Sequence, residues 1–159
     1  EDLKISERLY KASQAGVKID LVVRGFCCLR PGVPGLSENI RVRSVVGRFL
    51  EHSRIFHFGA GQADPVDGDW LIGSADWMYR NLNDRVECIV PVRDPIARGR
   101  LLEIFDIMLS DRRSAWDLQT DGSYVRAMPA EKDSAESLAR MGTFETLMQI
   151  TSGVKQTGQ

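Results

Sequence analysis

Apolar and polar positions along this chain alternate between two periods, one near 3.6 residues and one of two. Leu3, Ile5, Leu9, Tyr10 and Ala12 recur at helical spacing over residues 3–15, and Gly16 is a fitting stop. Residues 17–23 read as a short apolar strand ending at Arg24-Gly25, and residues 26–29 as a second strand-like piece. The run Arg30-Pro31-Gly32-Val33-Pro34-Gly35 that follows is a turn-rich loop.

A helix is expected to open at Ser37 as N-cap, with Glu38 in its first turn. Its apolar face is Val42, Val45, Val46 and Phe49, at i, i+3, i+4 and i+7, and Arg41 and Arg48 would share a face of the same helix. Strands are then expected over 54–58, 71–72 and 86–92, the first two separated by a Gly- and Asp-rich loop over 59–69. Asp94-Pro95 opens a further helix with Leu101, Leu102, Phe105, Met108 and Leu109 as its core face. Residues 110–123 read as a connector, 124–128 as an edge strand and 133–150 as a last helix, with a frayed tail over 151–159. Helices alternate with strands, so the expected fold class is α/β: one domain over residues 1–150 with a mixed, largely parallel sheet flanked by helices.

Composition narrows the function classes. At 159 residues and 43% hydrophobic content the chain has one domain's worth of core. The formal charge of -1 gives no reason to expect nucleic-acid binding, so any anion site must be a local cluster of arginines. No apolar run approaches the roughly 18 residues of a membrane span, and Glu1-Asp2-Leu3-Lys4 is not expected to belong to a signal peptide. The chain starts inside an amphipathic pattern, as a piece of a longer protein would. Three cysteines, two of them adjacent, do not make a secreted disulfide framework, so a reduced cytoplasmic setting is expected. There is no Cys-x-x-Cys and no His–Cys cluster, so no metal-binding residues are assigned.

The chemistry concentrates in two segments and one arginine. His52 and Arg54 stand two apart at the start of a strand and are expected on one side. An imidazole can attack phosphorus or pass a proton near neutral pH, and a guanidinium beside it neutralises phosphoryl oxygens. The competing reading is a helix C-terminal histidine bonded to a backbone carbonyl. Arg24 ends a strand and precedes a glycine, where open α/β sheets collect ligands; the alternative is pairing with a surface carboxylate. In the turn Gly73-Ser74-Ala75-Asp76, Ser74 could donate to a phosphate and Asp76 could orient an imidazole. Arg80, Asn81 and Arg85 follow closely, and Arg30, Arg41, Arg43 and Arg48 surround the Pro/Gly loop. That loop lacks the Gly-Lys-Ser/Thr ending of a Walker loop, and His57, on the other strand face from His52, is expected to pack.

Longer strings carry a resemblance. Residues 10–19 (Tyr-Lys-Ala-Ser-Gln-Ala-Gly-Val-Lys-Ile), 23–32, 37–44, 50–54 and Gly73-Ser74-Ala75-Asp76-Trp77-Met78 with Arg80-Asn81-Leu82 together resemble polyphosphate kinase of the first family, over roughly 5–110 and more weakly to about 150. The resemblance implies a C-terminal catalytic domain with a phospholipase D-like fold, in an enzyme that moves the terminal phosphate of ATP reversibly onto inorganic polyphosphate with Mg2+. It implies that the phosphorylated histidine lies in a preceding domain of the same polypeptide. It makes His52 the second active-site histidine, Arg24 a nucleotide-phosphate ligand and Arg85 an arginine near the polyphosphate path. ATP/ADP, polyphosphate and the preceding domains are the implied partners. Mg2+ ligands are expected largely outside this chain, and a homo-oligomer is expected at full length, with possible membrane association but no span.

Against the wider phospholipase D pattern of His-x-Lys, a later Asp and Gly-Ser-x-Asn, this chain has Arg54 for Lys, Gly59 for Asp and Asp76 for Asn. These departures fit transfer to a phosphate acceptor better than diester hydrolysis, because the charge of Arg54 is permanent. Two alternatives stay open: a non-catalytic polyphosphate- or nucleotide-binding module, and a phosphodiesterase assembled from two copies.

Overall fold

The first helix, α1 (Leu3–Gln14), forms because Asp2 caps it, its carboxylate accepting from the Ile5 N–H at 2.9 Å. The computed structural model describes residues 2–25 and 27–153. After α1 come β1 (Ile19–Val22), β2 (Ile40–Val45), β3 (Ile55–Phe58), a single 3-10 turn at Pro65–Asp67, and β4 (Asp69–Gly73). Then follow α2 (Tyr79–Asn83), β5 (Ile89–Pro91), α3 (Pro95–Ser110), β6 (Ala115–Leu118), β7 (Tyr124–Arg126), α4 (Leu138–Met141) and α5 (Thr143–Thr151). The helices and strands make the mixed α/β fold that the alternation implied.

The strands form two sheets, of order β1-β2-β6-β7 and β3-β4-β5. The first is mixed. Its one parallel pair is β1 with β2, in register Ile19↔Ile40, while β2–β6 and β6–β7 are antiparallel. The second is antiparallel throughout. The sheet is mixed as expected but not largely parallel: parallel pairing is confined to its first two strands. Residues 59–68 join β3 to β4, fewer than the dozen or so that a parallel crossover requires, while β4 and β5 are joined by residues 74–88, which include α2.

Four further expectations change. The helix over 37–49 is instead β2. Ile40, Val42 and Ser44 are buried while Arg41 and Arg43 stand between them and pair with Asp20 and Asp117 on the neighbouring strands. The period is two, and the β-branched residues that also fit a helical face suit the pleat better. Arg41 and Arg48 consequently share no helix face. Ser37, fully buried, donates to the Arg30 carbonyl and accepts from the Val33 N–H, so it staples the Pro/Gly loop instead of capping a helix. Residues 27–29 form no strand, and Phe26 lies outside the described residues. The connector over 110–123 contains β6, and the last helix is two short ones broken at Gly142. There the fully buried Asp111 accepts from both the N–H (2.7 Å) and the hydroxyl (2.8 Å) of Thr143, which fixes the start of α5. The tail over 154–159 lies outside the described residues.

Ile40, Val42 and Leu118 centre the first core, with Leu9, Tyr10, Ile19, Leu21 and Tyr124 packed around them. A second core forms around Trp70, 1% exposed, whose ring lies 5.5 Å from Phe105 of α3 and 4.3 Å from His57. Among the described residues no helix is long and apolar enough to cross a membrane.

Candidate active site

Strand register brings the chemistry together. Because Ile55 pairs with Ile72 and Gly73 with Ile89, the start of β3, the end of β4 and the start of β5 lie at one end of the second sheet. The Gly73 N–H donates to the Arg54 carbonyl at 3.0 Å, and the Ser74 N–H to the Cys88 carbonyl at 3.0 Å. Position 73 must be glycine, since a Cβ there would stand 2.9 Å from the Cys88 carbonyl oxygen. Phe56 of β3 stacks on Trp77 at 5.2 Å and braces the far side of the turn. Arg24 arrives from the other sheet, beyond the carboxyl end of β1, and Gly25 after it adopts a φ of +86° that redirects the chain.

Asp76 and Arg54 form a two-pronged ion pair, Nε to Oδ1 at 3.0 Å and Nη2 to Oδ2 at 2.9 Å. The remaining guanidinium nitrogen of Arg54, Nη1, donates to the His52 carbonyl at 2.7 Å and lies 2.5 Å and 3.1 Å from the two ring nitrogens of His52. A neutral imidazole offers only one acceptor nitrogen, so one N–H cannot bond both, and the guanidinium lies against the imidazole. Arg24 Nη1 donates to the Glu51 carbonyl at 3.1 Å, and its Nη2 stands 3.9 Å from Asp76 Oδ2. His52 itself is exposed, at one end of an open groove of ≈ 740 Å³ whose other wall is α5, through Phe144, Leu147 and Met148.

The sequence-expected residues therefore converge: Arg24, His52, Arg54 and Asp76 touch in one chain of contacts. Asp76 meets His52 only through Arg54. Ser74 donates to the Glu87 carboxylate and accepts from the Cys88 N–H at 3.1 Å. Glu87 also takes the Asn81 amide at 2.7 Å. Sequence reasoning missed Glu87. Its signal was positional: an acidic residue opening an apolar strand that pairs with the strand ending at the Gly-Ser turn. Arg85 is exposed, and its charge bears on Glu87. Arg41 and Arg43 serve the first sheet, Arg43 also donating to the Asp111 carbonyl at 3.1 Å, and Arg48 lies over the Phe49 ring. His57 packs on Trp70.

Both carboxylates are held ionised. Hydrogen bonds from Arg54 pull Asp76 below its ordinary value of 3.8, against the opposing effect of burial, with the charges of Arg54, Arg24 and His52 adding to the pull. Hydrogen bonds from Ser74 and Asn81 lower Glu87 likewise. The guanidiniums of Arg24 and Arg54 meet the carboxylate of Asp76 beside an exposed imidazole, and the Glu51 carboxylate, which accepts from the Ser53 N–H at 2.8 Å, belongs to the residue just before that histidine. Such a site can hold an anion and move a proton or phosphoryl group on its rim.

Comparison with known proteins identifies the family. Residues 1–138 match the model of the family described as polyphosphate kinase C-terminal domain 2. The chain is similar to polyphosphate kinase of Thermosynechococcus vestitus, 53% identical over 150 residues that cover 94% of this chain and 19% of that protein. It is 52% identical to the Synechocystis polyphosphate kinase over 94% of its length and 20% of the relative's. The crystal structure of polyphosphate kinase from Porphyromonas gingivalis superposes with a TM-score of 0.80 at 35% identity, over 98% of this chain and 23% of that one. The chain thus spans about a fifth of the length of the curated relatives it matches. With the family model matching residues 1–138 and a curated relative 53% identical over 94% of the chain, this chain belongs to the polyphosphate kinase C-terminal domain 2 family.

Proposed function

We propose that this chain supplies one half of the active site of an ATP:polyphosphate phosphotransferase. The observation that carries the reading is the convergence of Arg24 and His52 through Arg54 and Asp76 on one partly exposed rim. In this reading Arg24 binds phosphoryl oxygens with the guanidinium nitrogen that the Glu51 carbonyl leaves available, and Arg85 extends the charge along the path of the polyphosphate. His52 exchanges a proton with the group in flight, between ATP and a phosphorylated histidine carried by a preceding domain of the same polypeptide. The protein's contribution is placement and charge, because phosphoryl transfer asks little covalent chemistry of its enzyme. Relatives named polyphosphate kinase support the substrate pair of ATP and polyphosphate.

Mg2+ does not fit among these side chains alone. The described residues hold no group of three or more His, Cys, Asp or Glu side chains able to bind a metal ion. Asp76 and Glu87 commit their oxygens to Arg54, Ser74 and Asn81. We place the ion with the phosphates of the nucleotide, and no step here depends on it.

The test is ATP-dependent elongation of polyphosphate by the full polypeptide and by residues 1–159 alone. The full polypeptide is expected to elongate polyphosphate and to lose that activity in His52→Ala, while residues 1–159 make none. Elongation by residues 1–159 alone, or full activity in His52→Ala, overturns the reading.

A further inference from the structure

Arg54 was expected to hold phosphoryl oxygens, yet its three guanidinium nitrogens are all engaged within the protein. Nε and Nη2 take both oxygens of Asp76, and Nη1 takes the His52 carbonyl and lies against the ring. Its side chain is 13% exposed, whereas those of Arg24 and Asp76 are 36% and 35% exposed. The two positions where Arg54 and Asp76 replace the Lys and Asn of the wider pattern are also the two that pair. A lysine could not span two carboxylate oxygens and a carbonyl at once, and an asparagine would put an N–H where Arg54 needs an acceptor.

Resting on the function proposed above, we infer that Arg54 and Asp76 act as one positioning strut for His52, and that phosphate contact falls to Arg24. Asp76 fixes the plane of the Arg54 guanidinium, and the guanidinium fixes the backbone and ring of His52. The turn that carries Asp76 is itself pinned, by the Gly73 N–H to the Arg54 carbonyl and by Phe56 stacked on Trp77. The strut therefore runs from the β3–β4 ribbon to the imidazole without a mobile joint. Arg24 differs: among the described residues its Nη1 alone is hydrogen-bonded, and Nη2 is at ion-pair distance only.

The two assignments for Arg54 predict opposite signs. If Arg54 were a phosphate ligand restrained by Asp76, Asp76→Asn would remove a competing negative charge and tighten pyrophosphate binding. Arg54→Lys, which keeps the charge, would then cost less than about threefold. Because the strut also holds the 51–54 segment, whose Glu51 carbonyl anchors Arg24, it predicts that Asp76→Asn and Arg54→Lys each weaken pyrophosphate binding by a similar factor, on the order of tenfold, and that the double variant is no weaker than either single one. The measurements are calorimetry with pyrophosphate on the 159-residue chain, and the NMR ring signals of His52, which are those lost in His52→Ala.

Under the strut, both variants shift the His52 ring signals and the signals of His57 stay in place. Unmoved His52 signals in Asp76→Asn, or pyrophosphate binding in Arg54→Lys within about threefold of wild type, overturn the inference. Should Asp76→Asn fail to fold, Arg54→Lys alone decides it through the same signals. A wild-type chain that does not bind pyrophosphate sinks the functional reading, while the His52 signals still judge the strut.

Discussion

Arg24 donates to the backbone carbonyl of Glu51 at 3.1 Å, so the residue that closes a strand of the first sheet holds the residue before the histidine that leads into the second. The contact is made by a guanidinium to main chain and so depends on the length of the arginine. It couples the two sheets at the point where an anion would enter.

Arg24→Ala is therefore expected to remove both a phosphate contact and an anchor for the 51–54 segment. Pyrophosphate affinity should fall by about tenfold or more, as for loss of a charge-assisted hydrogen bond, and the salt dependence of binding should become shallower. Arg24→Lys should recover part of the affinity. Calorimetry at two ionic strengths checks both, and an affinity unchanged in Arg24→Ala removes this arginine from the site.

Trp70, 1% exposed between Phe105 and His57, is the largest buried side chain of the second sheet. Trp70→Ala should destabilise the chain by about 3–5 kcal/mol through lost burial and a residual cavity. The indole N–H also leaves its bond to the Pro65 carbonyl at 2.9 Å. Urea unfolding measures the change; a loss below about 1 kcal/mol would mean the second core does not depend on this ring.

At Gly73 an added methyl meets the Cys88 carbonyl at 2.9 Å and the Ile89 side chain at 3.0 Å. Gly73→Ala should push β4 and β5 apart at the end that carries the site, costing about 1–3 kcal/mol. Cys88 amide exchange should accelerate with it, because that N–H is bonded to the Ser74 hydroxyl. Slow exchange retained in the variant would contradict the close approach.

Acid should weaken the fold through Asp76. Its carboxyl is lowered in the folded state, chiefly by hydrogen bonds from Arg54, so the stability it contributes is present above the unfolded carboxyl value of about 4 and is lost as pH falls through the lower folded value. Melting temperatures recorded downward from about pH 5 should drop less steeply in Asp76→Asn than in the wild type. Equal slopes would show that the pair with Arg54 contributes little to folding.

Much of the site was legible in the sequence because its residues stand beside punctuation. Arg24 precedes a glycine, His52 and Arg54 come just before a strand start, and Asp76 ends a Gly-Ser turn. Local pattern does not carry pairing, which is why Glu87 went unread and why Asp76 was matched to His52 and not to Arg54: both facts depend on which strands adjoin. The helix expected over 37–49 failed for a related reason. Val42, Val45 and Val46 satisfy a helical face, and only the burial of Ile40, Val42 and Ser44 against two neighbouring strands makes the period two. The break at Gly142 answers to the Asp111 carboxylate, 31 positions earlier than its glycine and 32 from Thr143, a partner no local reading supplies.

The Ile55↔Ile72 register has a consequence for how the chain matures. A slip of one residue displaces a strand by about 3.3 Å, far beyond what a two-pronged guanidinium–carboxylate contact tolerates. Misaligned ribbons thus cannot close the pair between Arg54 and Asp76, and closure of that pair is a built-in proof that the ribbon was threaded correctly before the imidazole is presented.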